Sequence, residues 1–141
     1  MQHEITAAQP LLDEKGNLRE AGYCKKLLPI YRRRDIKAGA RRIKEWDYYL
    51  VTDGHIGIAL TIADNGYMGL DSISLLNLDE GWEKTKSPMR AFPLGKTGLP
   101  ESSETGDVSI SGKGYHLSFR HDGPDRVLDL HMEDFLDGAA I

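Results

Sequence analysis

The chain has one cysteine in 141 residues, Cys24, so no disulfide can close within it and no cysteine-rich zinc site can form. That usage fits a reducing compartment. No apolar stretch approaches the eighteen or so residues that a membrane-spanning helix needs. The opening, MQHEITAAQP, has neither the basic region nor the apolar region of a secretory signal, and the expectation is a cytoplasmic protein. One-sided charge is missing too. Eighteen Lys and Arg stand against twenty-two Asp and Glu, and the resulting net charge of −4 argues against a nucleic-acid partner. No cofactor motif can be read. Gly95-Lys96-Thr97 has the ending of a phosphate-binding loop but lacks the upstream glycine and the strand-to-helix setting. No segment carries convincing helical periodicity. A chain of this length nevertheless suits a single domain that buries roughly 68–70% of its unfolded surface.

What is present is a β pattern, densest from Glu45 to Leu78. Trp46 to Thr52 is aromatic and β-branched, which suits a pleated, half-buried surface. Asp53-Gly54 follows, the strongest short hairpin signal when both tip residues need positive φ. A two-residue loop there predicts Val51 opposite Ile56, Tyr49 opposite Ile58, Asp47 opposite Leu60 and Glu45 opposite Ile62. The next run alternates Ile56, Ile58, Leu60 and Ile62 on one face with Gly57, Ala59, Thr61 and Ala63 on the other. The second face opposes Trp46, Tyr48 and Leu50, so large rings meet small neighbours. Neither face is polar, and a strand apolar on both sides calls for cover on both.

Asn65-Gly66 repeats the turn signal. A two-residue loop pairs Leu60 with Asp71 and Ile58 with Ile73, giving a row Asp47, Leu60, Asp71. A three-residue loop, Asp64 to Gly66, shifts the third strand by one and brings Leu70 to Leu60. A one-residue slip turns every side chain to the other face, so both registers stay open.

Residues 1–44 read as an N-terminal arm broken by Pro10, Gly16, Gly22 and Pro29, and residues 45–141 as an antiparallel β domain. Leu11-Leu12 and Leu18 suggest a small ribbon. Basic residues between Arg32 and Lys44 form either an anion-binding patch or a solvated face. Asp35 is expected to cap a short helical turn through Ala40. Trp82 to Phe92 is a fourth strand interrupted at Pro88. Pro93 to Gly106 is structureless, the kind of loop that acts as a lid or moves. Asp107 to Ser111 and Tyr115 to His121 form a second hairpin, and Val127 to Met132 a last strand. The tail after Asp137 carries no signal. Six or seven evenly spaced strands predict an all-β, antiparallel fold, a lipocalin-like barrel or half of a double barrel or sandwich.

RIKEWDYYLV, ALTIADNGYMGL, ETGDVSISGKGYHLSF and the opening QHEITAAQPLLDEKGNL resemble the DUF2804 family of uncharacterised bacterial proteins across nearly the whole chain. That family is distantly similar to the two-domain, lipocalin-like carotenoid hydratase and AttH proteins. Its members are more than twice as long, which implies that this chain is an N-terminal half completed by further sequence or by a second copy.

Asp47 and Asp71 are the candidate catalytic residues, because a carboxylate on an apolar face has its charged form destabilised and can serve as a general acid. Trp46, Tyr48, Tyr49 and Tyr67 are candidates to line a ligand pocket. His116 and His121 differ by an odd number and face opposite ways, so a three-histidine metal site with His131 is not expected. Three functions follow. The first is a binding domain for an apolar or amphipathic small molecule. The second is a hydratase, cyclase or isomerase using a carboxylate acid. The third is a structural half-domain completed by a partner.

Overall fold

A computed structural model describes residues 2–141, which divide into two compact units, one ending at Gly39 and one spanning Ala40–Ile141. The first unit holds two short strands, β1 (Gln9–Pro10) and β2 (Pro29–Ile30), paired in parallel. An isolated antiparallel bridge joins Leu12 to Leu18. The Asp13 carboxylate shapes the turn between them by accepting from the backbone N–H groups of Lys15 and Asn17. The expected helical turn after Asp35 is not there. Arg33–Asp35 forms a single 3-10 turn that Asp35 ends rather than begins, and the chain is extended again at Ile36.

The second unit is two antiparallel sheets. The larger holds β3 (Glu45–Thr52), β4 (Ile56–Asp64), β5 (Met68–Asn77) and β6 (Trp82–Lys86) in chain order, with β7 (Met89–Ala91) continuing along the free part of β5. The break between β6 and β7 falls at Ser87-Pro88, where proline has no N–H to give the ladder. The smaller sheet holds β8 (Val108–Gly112), β9 (Tyr115–Asp122) and β10 (Asp125–Met132). The sheets face one another and do not close into a barrel.

Both central turns differ from expectation in the same way. Thr52 pairs with Gly57, so the tip is Gly54-His55 rather than Asp53-Gly54. Asp64 pairs with Gly69, so the second tip is Gly66-Tyr67, and neither expected loop forms. Positive φ falls on Gly54 (98°) and Gly66 (75°) and on neither residue after them. Glycine therefore takes the first tip position, the II′ pattern, where the sequence reading placed it second. Local carboxylates hold each tip. Asp53 Oδ1 accepts from the N–H groups of His55 and Ile56, and Asp64 Oδ1 from that of Gly66.

The register accordingly moves by two residues. Val51 faces Ile58, Tyr49 faces Leu60, Asp47 faces Ile62 and Glu45 faces Asp64. A shift of two preserves the face each side chain occupies. Because both turns slip alike, the row still joins the two carboxylates, as Asp47–Ile62–Asp71.

The core lies between the sheets. Leu60, Ile62 and Ile73 of the larger sheet pack with Val108, Leu117 and Phe119 of the smaller, and Tyr49 meets Phe119 edge-on with ring centroids 4.9 Å apart. Each fully buried side chain of this size contributes about 1.5–3 kcal/mol. β10 crosses the larger sheet. Its start lies by β3, where Arg126 meets Asp47 and Tyr49, and its end lies by β6, where Lys86 donates to the carbonyls of Glu133 and Asp134. The tail also belongs to this unit: Phe135 is fully buried, and Ile141 exchanges backbone hydrogen bonds with Met132.

Within residues 40–141, one face of the larger sheet is covered, by the smaller sheet. On the outer face Trp46 is 62% exposed, Tyr48 54%, Leu50 52% and Met89 72%. The sequence calls for cover on both sides, and residues 40–141 supply it on one.

Candidate functional site

Asp71 and Asp47 share a row but not an environment. Asp71 is fully buried on the inner face of β5. Arg90, from β7, grips it bidentately, with Nε 2.7 Å from Oδ2 and Nη2 2.9 Å from Oδ1. The Tyr115 hydroxyl, from β9, donates to Oδ2 at 2.8 Å. Arg90 Nη1 donates to Thr97 Oγ1, and that hydroxyl donates in turn to Asp64 Oδ2, which also accepts from the Gly95 N–H at 2.7 Å. Gly69 makes the room. A Cβ there would sit 2.7 Å from Arg90 Cζ, so any side chain would displace the guanidinium.

The electrostatics follow from this geometry. Hydrogen bonding to Asp71 raises the pKa of Arg90. Burial, together with the bond to the Asp71 carboxylate, pushes the Tyr115 hydroxyl up to about 12. Asp71 is thus an acceptor whose lone pairs are taken by a permanent cation and a neutral phenol. It ties β5, β7 and β9 together through hydrogen bonds to both of its carboxylate oxygens. The 93–106 stretch is likewise anchored, through Gly95 and Thr97, to the buried Asp64. Phe92 and Leu94 at its start are held at φ of 48° and 55°, a left-handed backbone that non-glycine residues adopt only under such constraint.

Asp47 lies near the β3 edge with far less around it. Its closest cation is Arg126, with Nη2 3.9 Å from Oδ2, beyond hydrogen-bond reach. Arg126 lies over the Tyr49 ring, 5.3 Å from its centroid, and donates through Nη1 to the Gly106 carbonyl and toward His121. Asp47 Oδ2 and Arg126 Nε and Nη2 are buried and have no hydrogen-bond partner among the described residues. Burial raises the Asp47 pKa, and Arg126 opposes the shift. Chemically this corner can accept a group that both donates to a carboxylate and accepts from a guanidinium.

The four aromatic candidates do not come together. Tyr49 faces inward against Phe119 and Arg126. Trp46 and Tyr48 stand on the outer face. Tyr67 sits at the second hairpin tip, half exposed, with Lys44 5.9 Å from its ring centroid. His116 pairs with His131 on the outer side of the small sheet, while His121 is on the inner side, and among the described residues no cluster of His, Cys, Asp or Glu suits a metal.

The sequence model of one family, described as a domain of unknown function, matches residues 2–141. The chain belongs to the DUF2804 family. No curated protein and no solved structure matches it. The DUF2804 segments quoted above now have places. EWDYYLV lies in β3, and ALTIADNGYMGL runs from β4 around the second hairpin tip to Leu70 of β5, carrying the buried Asp64 and ending one residue before Asp71. Sequence reading missed Arg90, Tyr115, Thr97 and Asp64. The available signal was a lone arginine in the strand PMRAF, beside an apolar sheet that contained an aspartate. Among the described residues no helix is long and apolar enough to cross a membrane.

Proposed function

We propose that this domain works as one layer of a larger all-β assembly, with the outer face of its five-stranded sheet buried against a protein partner. One observation carries the reading: Trp46, Tyr48, Leu50 and Met89 stand exposed on a single face, and the other positions in their three rows are small or apolar. Contiguous exposed apolar patches of a few hundred square ångströms on a soluble chain mark interaction sites. The test is a triple variant, Trp46→Ser, Tyr48→Ser and Leu50→Ser. On this reading it keeps the fold and loses association. Loss of folding on the scale of a core substitution would mean that the face is covered within the chain and would refute the reading.

A second reading rests on the unpartnered polar atoms at Asp47 and Arg126. It is a small amphipathic ligand whose polar head bridges those two groups and whose apolar part lies by Tyr49, with Asp47 as a general acid if the ligand is a substrate. Asp47→Asn with unchanged binding and turnover of a ligand found by native mass spectrometry would remove it.

A further inference from the structure

The rows of the outer face have a regular relief. Trp46, Ala63, Leu70 and Met89 form one row across the sheet. Tyr48, Thr61 and Ser72 form the next, and Leu50, Ala59, Ser74 and Thr85 the third. Large side chains therefore stand in a ridge along β3. Small ones floor a trough along β4 and the middle of β5, where Ala59, Ala63 and Ser72 are buried between their neighbours.

We propose that the occupant of this face is a second copy of the same chain, docked sheet against sheet about a two-fold axis. The Trp46–Tyr48–Leu50 ridge of each copy then lies in the Ala59–Thr61–Ala63 trough of the other. This deepens, and rests on, the reading that a protein covers the face.

Three arguments select a second copy. A two-fold contact brings one patch against itself, so the patch must carry both a projection and its complement, and this one does. Charge points the same way. The chain is at −4, so two copies repel through most of their surfaces, but none of the residues in these three rows is charged. Charged residues come at the two ends of the face: Glu83 in the peripheral row Thr52–Gly57–Leu76–Glu83, and Lys44, just before β3, over the Tyr67 ring. Size is also suitable. β3, β4 and β5 run 8, 9 and 10 residues. Four strand positions at about 4.8 Å and strands near 28 Å long give a face of about 500 Å² in plan before side-chain relief is counted. A standard interface takes about 800 Å² of accessible surface from each partner, which such a face approaches once relief is included. Two sheets packed at about 10 Å would bury both ridges completely.

Sedimentation velocity on the full chain, over a concentration series, tests this alongside Trp46→Glu and Leu50→Glu, with Ser118→Glu on the outer side of the small sheet as control. The expected result is a dimer that Ser118→Glu leaves intact. Either outer-face charge is expected to weaken it more than tenfold, with unchanged circular dichroism. Should Trp46→Glu fail to fold, Leu50→Lys makes the same test. A dimer indifferent to both outer-face substitutions overturns the proposal. So does a wild-type monomer at every concentration. In that case, acrylamide quenching of Trp46 in a Trp82→Phe chain separates the two claims. A readily quenched Trp46 leaves the protein-partner reading standing without the second copy, and a shielded one removes both.

Discussion

On the inner face of the five-stranded sheet, Leu60, Ile62 and Ile73 lie beneath Leu117 and Phe119, and the buried carboxylate of Asp71 is fixed by Arg90 and Tyr115. On the outer face, Trp46, Tyr48 and Leu50 come from the same strand as Tyr49 and are as apolar as that inner-facing ring, yet they meet solvent. The difference is not one of composition. Within residues 40–141 the inner face is covered by a second sheet and the outer face is not, so on the proposed reading Tyr49 serves folding while its neighbours Tyr48 and Leu50 serve association.

The sharpest break in this comparison is Asp71→Ala. Removing one member of a buried ion pair leaves Arg90 uncompensated, and the expected loss is about 3–5 kcal/mol, read by urea denaturation. Next comes a matched pair of leucines. Leu117→Ala is expected to cost about 2–5 kcal/mol, while Leu50→Ala stays within about 0.5 kcal/mol in the single chain. Equal costs would erase the distinction between faces. Tyr115→Phe removes one hydrogen bond to a charged group and is expected to cost about 1.5–3 kcal/mol. It also bears on alkaline stability. Tyr115 binds its proton more tightly in the folded chain, so its contribution is full below the ordinary phenol range, near 10, and is lost as pH rises through about 12. The Phe variant is expected to lose less stability than wild type over that window.

The smallest effect belongs to Asp47. Burial raises its pKa, so the folded chain holds this proton more tightly than the unfolded one. Its contribution is full below the ordinary carboxylate range and is lost as pH rises through the raised value. Asp47→Asn lacks that dependence. Relative to wild type, the variant is therefore expected to be more stable at neutral pH than in acid, measured by denaturation at both.

The strands and their facing residues were legible because alternation has period two and glycine marks the turns. The register was not, because Asp-Gly and Asn-Gly announce a turn without saying whether glycine is first or second at its tip. Asp53 and Asp64 decide that through hydrogen bonds visible only in three dimensions. The row joining Asp47 to Asp71 survived because the two slips cancel. The roles of its two aspartates were hidden, since Arg90 and Tyr115 reach Asp71 from 19 and 44 residues away. Phe135 and Ile141 were invisible for the same reason: nothing local marks a tail that returns to the core.

The most direct measurement is the emission of Trp46 in a Trp82→Phe chain, followed from dilute to concentrated solution. The expected result is a water-exposed spectrum at high dilution that moves to the blue as copies associate. A blue spectrum that does not change with concentration would contradict the account, because the outer face would then already be covered within one chain.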